Sequence, residues 1–158
     1  MTDSTMDAIN AAVTLGREGD AARAREQLAA LWDSVGANGD ALHRVTIGHF
    51  LADLHDHPAD ALTWDVRALD AADALTDARA REHHSTLQVS GFYPSLHLNL
   101  ADNYRRLGAF ETAQRHLLAA RDRLDVLDDD GYGSVVRAGV ENVARALAEQ
   151  STERLATH

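Results

Sequence analysis

The sequence contains no cysteine and no lysine, and it has only two prolines. Without cysteine the chain can form no disulfide, offers no thiolate ligand to a metal and has no cysteine nucleophile. No apolar run approaches the roughly 18 to 20 residues that a membrane-spanning helix needs. The first residues are acidic where a secretory signal would be basic. We therefore expect a soluble, cytoplasmic protein that has no membrane partner.

Positive charge is also scarce, since 25 acidic residues outnumber 15 arginines and give a formal net charge of −10. Such a chain repels a phosphate backbone, and its arginines are scattered, so direct nucleic-acid binding is not expected. The sequence has no phosphate-binding glycine loop, nucleophile elbow, helical zinc-protease motif or calcium loop. We expect no cofactor, and an enzyme of a familiar class is not favoured.

What the sequence does contain is regularly spaced small and large apolar residues, most clearly in LHLNLADNYRRLGAFETAQRHLLAA, residues 96–120. An apolar residue recurs every three or four positions, which is typical of one face of an amphipathic helix. Pro94 fits the start of this helix, and Gly108 can adopt the positive φ that ends it. A second helix with the same spacing follows. The segment therefore predicts an antiparallel helical hairpin.

The segment resembles a tetratricopeptide repeat, because the family's packing positions are occupied by Leu100, Ala101, Tyr104, Gly108, Phe110, Ala113, Leu117 and Ala120. Weaker copies begin near residues 5 and 41. In the first, Gly16 and Gly19 mark the turn and Asp20 caps the second helix. The resemblance implies an all-α, right-handed stack of three hairpins in one domain, residues 1–158. The predicted repeats cover about 5–36, 41–75 and 94–127.

Two further segments complete the predicted fold. The charged stretch 75–90 has neither proline nor glycine, so we expect it to continue the preceding helix to between His83 and residue 86. After the loop DDDGYG, an apolar stripe predicts a capping helix at about 134–150, which would cover the last open face of the stack. The tail from Ser151 is expected to fray.

The resemblance also implies a function, because this family typically holds a peptide or partner protein in a concave groove formed by the first helix of each pair. Transferred position by position, the groove would present His43, Thr46, Phe50, Asp53, Leu54, Ser95, Leu98, Asp102, Arg105 and Arg106. Its mixed charges and its aromatic suit a polar peptide that carries both signs. The competing interpretation is that these residues are simply solvated.

A second possible function comes from His49, Asp53 and His97. His49 and Asp53 lie four residues apart on one helix face, where a carboxylate can orient an imidazole. His49 occupies a position at which the family carries a small residue, and His97 opens the first helix of the last repeat. Converging, the three would form a small-molecule or metal site, with catalysis as one use. The competing interpretation is that they are packed, hydrogen-bonded side chains. His55, His57, His83 and His84 are interpreted as surface residues.

Two further hypotheses concern assembly and function. Three repeats are about the minimum for stability, so the first hypothesis is a homodimer formed through an exposed apolar face, for which Trp32 and Trp64 are candidates; the alternative is that either residue belongs to the core. The second hypothesis is a detached sensor domain of the kind that binds signalling peptides in bacterial regulators. It would require an accompanying basic DNA-binding helix pair, and the sequence contains none.

Overall fold

The structure is a computed structural model that describes residues 3–83 and 89–156. All regular secondary structure in the described chain is helical, and none of its helices is long and apolar enough to cross a bilayer. It contains eight α-helices: α1 Ser4–Arg17, α2 Ala21–Val35, α3 Ala41–Asp53, α4 Pro58–Ala74, α5 Asp77–His83, α6 Tyr93–Arg106, α7 Phe110–Arg121 and α8 Gly131–Ala148. Two short 3₁₀ turns cover Val89–Gly91 and Leu124–Val126.

Side-chain caps fix where most of these helices begin. Asp3, Asp20, Asp40 and Asp130 each accept a hydrogen bond from a backbone N–H in the first turn of α1, α2, α3 and α8. His57 does the same for α4, because its Nδ1 accepts from the backbone N–H of Ala59 at 3.1 Å. These caps satisfy amide groups that have no partner inside the helix. The predicted role of Asp20 is confirmed.

The chain divides into two compact units, Met1–Arg79 and Ala80–His158. In the first unit α1 packs against α2 and α3 packs against α4, while α3 also contacts both α1 and α2. Small residues bring α3 and α4 together. A Cβ added at Gly48 would lie 3.1 Å from the backbone oxygen of Trp64 and 3.2 Å from the Cβ of Ala68. The helices approach this closely because Gly48 has no side chain.

The position of Gly48 corrects one detail of the sequence interpretation. We placed His49 at the small-residue position of the repeat, whereas Gly48 makes the close contact. Gly16 is also placed differently, because it lies inside α1 and faces Ala24 instead of forming the turn. The turn is made by Gly19, whose φ of +104° is a conformation that glycine adopts at little cost.

The predicted continuation of the fourth helix is interrupted. α4 ends at Ala74, and Leu75 takes an extended conformation with φ −81° and ψ 140°. A separate short helix, α5, follows, and the hydroxyl of Thr76 caps it by accepting from the backbone N–H of Arg79 at 3.2 Å. The prediction of one continuous helix is therefore wrong at Leu75. Its predicted end, between His83 and residue 86, extends into residues 84–88, outside the described ranges.

In the second unit α6 pairs with α7, and α8 packs against both. Gly108 ends α6 with a φ of +79°, as predicted. The core contains Leu98, Ala101, Ala113, Leu117, Ala120, Leu127, Val136, Val140, Val143 and Leu147. The predicted capping helix is present, although it begins at Gly131 rather than about residue 134. It starts earlier because Asp130 caps it.

The tail after α8 is packed, which corrects the expectation that it frays. Gln150 adopts a φ of +50° and so turns the chain at the end of the helix. The backbone N–H of Ser151 then donates to the carbonyl of Ala146 at 3.0 Å, a bond typical of a Schellman motif. Further on, Leu155 packs against the core of the second unit.

Candidate functional site

The α3 residues predicted to line a groove differ in their exposure and in whether their polar groups are already bonded within the chain. Phe50 is half-buried, and the guanidinium of Arg17 from α1 lies 5.6 Å from its ring centroid. Asp53 is exposed and makes no hydrogen bond or ion pair with any described residue. Thr46 donates its hydroxyl to the carbonyl of Leu42, one turn earlier, and the Leu54 carbonyl accepts from Arg25. Asp53 is therefore the most available of the predicted α3 contacts, whereas the half-buried Phe50 ring already has the Arg17 guanidinium beside it.

His43 belongs instead to a polar cluster that joins three helices of the first unit. Its Nε2 lies 2.7 Å from Oδ2 of Asp3, the residue that caps α1. Arg79 from α5 binds both N-cap residues, with Nη2 3.1 Å from Oδ2 of Asp3 and Nε 2.9 Å from Oδ2 of Asp40. One arginine thus connects the starts of α1 and α3 to α5. Through its contact with Asp3, His43 contributes to the stability of the first unit.

These contacts hold both carboxyl groups in the ionised form. The hydrogen bond to His43 is the main reason why the pKa of Asp3 is lower than its ordinary value, and the Met6 amide and Arg79 lower it further against the effect of burial. At Asp40 burial acts to raise the pKa, but the hydrogen bonds from Arg79 and Leu42 outweigh it, so this pKa is also lowered. Both carboxylates therefore accept hydrogen bonds from the Arg79 guanidinium.

On α6 the two strongest charge candidates are buried. Arg105 is 0% exposed and Asp102 is 9% exposed. Two guanidinium nitrogens of Arg105 contact Oδ1 of Asp102, at 3.0 Å and 2.7 Å, while Nη1 donates to the carbonyl of Ser151 at 2.7 Å. In this structure Arg105 offers no exposed surface to a peptide. It holds the tail that follows α8 against α6.

The remaining groove residues predicted on α6 are one buried residue and two half-buried residues. Leu98 is part of the core of the second unit, where it is 3% exposed. Ser95 and Arg106 are half-buried. Of the groove residues predicted on α6, these two retain partial exposure.

The second predicted site, built from His49, Asp53 and His97, stays a prediction. His49 lies against Phe50, its Nδ1 is buried without a hydrogen-bond partner, and within the described ranges it forms no bond with Asp53. His97 lies in the second unit, where its Nδ1 is 3.1 Å from Nδ1 of His116. No group of three or more His, Asp or Glu side chains among the described residues could hold a metal ion.

The cluster around His97 was missed by sequence reasoning. His116 on α7 faces His97, and its ring is nearly parallel to that of Tyr104, with centroids 5.4 Å apart. The ring of Tyr93 lies 6.2 Å from that of His97. Tyr93, His97 and Tyr104 are spaced by four and seven residues, so they share one face of α6. That spacing was visible in the sequence, whereas the contribution of His116 required the pairing of α6 with α7.

Trp32 and Trp64, the residues considered for a homodimer, contact each other in the first unit. Their rings meet edge to face at 5.2 Å, and the Arg67 guanidinium lies 5.5 Å and 4.5 Å from the two centroids. Both tryptophans are half-buried. The homodimer itself stays a prediction.

The geometry thus defines an all-helical protein with eight described helices packed in adjacent pairs. Comparison of the chain with protein-family models, with curated proteins and with solved structures finds no match.

Proposed function

We propose that this protein is a tetratricopeptide-like interaction module and that the face of α3 which carries Phe50 and Asp53 binds a positively charged segment of a partner protein. The finer fold assignment, a right-handed stack with a concave groove, is part of this proposal. It is supported by the three helix pairs α1/α2, α3/α4 and α6/α7 and by the small residues where α3 meets α4.

The observation that carries the proposal is the contrast between Asp53 and the other charged residues predicted for the groove. His43, Asp102 and Arg105 are each bonded within their own unit. Asp53 is exposed and without such a bond in the described chain, and Phe50 lies one turn before it. A carboxylate beside an aromatic ring suits a lysine or arginine, because both groups attract a cation. The Arg17 guanidinium, 5.6 Å from the Phe50 centroid, already makes this kind of contact within the chain.

Charge distribution favours the same kind of partner. Residues 1–79 contain 14 acidic residues against 6 arginines, whereas residues 80–158 contain 11 against 9. A net charge of −8, out of −10 for the whole sequence, therefore belongs to the unit that contains α3. A field of this sign speeds association with cationic segments and slows association with anionic ones. The sequence predicted a partner peptide that carries both positive and negative charges, whereas this charge distribution favours a basic peptide.

The test is binding of fluorescent peptides of matched length and hydropathy, one basic and one acidic, measured by anisotropy at several salt concentrations. We expect the basic peptide to bind more tightly and to weaken as salt rises. Asp53→Asn and Phe50→Ala should each lower its affinity about fivefold to tenfold, as loss of about 1 to 1.4 kcal/mol implies.

The matched control is Glu26→Gln, which removes one exposed negative charge from α2, the second helix of its pair. If Glu26→Gln weakens binding as much as Asp53→Asn, the overall charge is responsible and the α3 site is wrong. Equal affinity for the acidic and basic peptides would reject the proposed partner class.

A further inference from the structure

The Phe50 ring on α3 already has a cation beside it, and this cation comes from the chain itself. The guanidinium carbon of Arg17, the last residue of α1, lies 5.6 Å from the ring centroid. An aromatic face attracts a positive charge within about 6 Å of its centroid. A partner cation that approaches the same face of Phe50 therefore competes with Arg17.

The contact with Phe50 is the only polar or aromatic interaction that the Arg17 side chain makes with the described part of the chain. Arg17 is exposed, and it forms no hydrogen bond or ion pair there, with Asp53 or any other residue. A single cation–π contact at an exposed site is weak. Arg25 differs, because it is half-buried and its Nη1 donates to the Leu54 carbonyl at 3.0 Å. Of these two arginines near the end of α3, Arg17 is therefore the one that a partner can displace.

The end of α3 offers a second cation-binding group that Arg17 does not use. Asp53 is the last residue of α3, three positions after Phe50. Residues at this spacing are neighbours on a helix surface, with Cβ atoms about 5 to 6 Å apart. The C-terminal end of a helix also carries partial negative charge. A cation that contacts both Phe50 and Asp53 thus gains an ion pair that Arg17 lacks, which favours the partner's cation over the internal one.

The geometry of these two groups favours arginine over lysine in the partner. A guanidinium is planar, so it stacks on an aromatic ring and binds a carboxylate through two N–H groups, whereas the lysine ammonium is a compact, strongly hydrated charge. We propose that an arginine of the partner replaces Arg17 at Phe50 and pairs with Asp53, so that Arg17 acts as an internal competitor for this site. The inference rests on the proposed function, because it concerns the same face of α3.

This competition lowers the affinity of the unmodified protein for its partner. While Arg17 covers Phe50, the ring is closed to the partner, and the apparent affinity is reduced by the fraction of molecules in which the ring is free. An exposed cation–π contact of ordinary strength corresponds to a reduction of about twofold to fivefold. Arg17→Gln removes the competitor, so it should raise the affinity for an arginine peptide by this factor.

The experiment measures fluorescence anisotropy of the full chain with two basic peptides that differ only in carrying arginine or lysine. Arg17→Gln should bind the arginine peptide about twofold to fivefold more tightly than the unmodified protein does. Arg23→Gln is the matched control, because it removes the same charge from an exposed position on α2 and so measures the effect of overall charge. In the Phe50→Ala background, Arg17→Gln should have no larger effect than Arg23→Gln.

NMR of the Arg17 Nε–Hε group follows the displacement directly in the unmodified protein. The Phe50 ring current shifts this resonance in the free protein, and it should move towards the value of a solvated arginine when the arginine peptide binds. Three results would each overturn this inference and leave the proposed function standing: equal effects of Arg17→Gln and Arg23→Gln, an Arg17 resonance that does not move at saturation, or equal affinity for the arginine and lysine peptides. Equal affinity for basic and acidic peptides would instead reject the proposed function and this inference with it.

Discussion

Replacing Arg105 by methionine tests how much the buried ion pair contributes to the second unit. The substitution keeps much of the apolar volume but removes all three hydrogen bonds of the guanidinium. Two of these go to Asp102 and one to the Ser151 carbonyl. Since Arg105 is 0% and Asp102 9% exposed, water does not replace them without rearrangement. Asp102 would be left as a buried charge without its cation.

The expected magnitude follows from that uncompensated charge. Breaking one partner of a buried ion pair typically costs about 3 to 5 kcal/mol, more than the pair itself contributes, because the remaining charge is poorly solvated. We expect Arg105→Met to lower the free energy of unfolding by about this amount. A loss of this size is a large fraction of the roughly 5 to 15 kcal/mol typical of a folded domain.

The assay is urea denaturation followed by circular dichroism, with Asp102→Leu combined with Arg105→Met as the matched control. Because the double variant removes both charges, it should recover most of the lost stability. Hydrogen exchange at residues 151–156 should rise in Arg105→Met, since the bond to the Ser151 carbonyl is lost. A single variant within about 1 kcal/mol of the unmodified protein, or a double variant no more stable than the single one, would refute this reasoning.

Two further predictions concern the first unit. The pKa values of Asp3 and Asp40 are lower in the folded than in the unfolded chain, so their contribution is full well above the ordinary value of 3.8 and is lost as the pH falls below it. Arg79→Met should therefore destabilise the protein at pH 7, and its effect should shrink only as the pH falls well below 3.8, through the lowered folded-state pKa values of the two carboxyls, as measured by urea denaturation along an acid series; an effect that begins to shrink well above pH 3.8 would contradict it. Gly48→Ala should lower the thermal midpoint and cost up to about 2 kcal/mol, because overpacking against the backbone of α4, about 1 to 3 kcal/mol, exceeds the roughly 1 kcal/mol that alanine gains in a helix. Gly131→Ala, which meets no atom within 4 Å, should leave the thermal midpoint unchanged or raised.

The sequence predicted the helices well because their signals are local. Apolar spacing, Pro94, Gly108 and Asp20 each act within a few residues of where they stand. It predicted the interruption at Leu75 poorly, since neither glycine nor proline marks the break and the cap at Thr76 competes with continuous helix. The tail was missed for a different reason. Its stability depends on Arg105, which is 46 residues away in the chain.

The candidate site was harder to predict than the fold because spacing places a residue on a helix face but does not say what that face meets. His43, Asp102 and Arg105 have the spacing of solvent-facing residues, yet each is bonded within its unit. Removing a charged side chain that is bonded within the folded protein should lower the free energy of unfolding. Removing one that has no such bond, such as Asp53, should lower the affinity for a partner instead. Arg105→Met should therefore change unfolding and Asp53→Asn should not, and this difference separates the structural residues from those available to a partner.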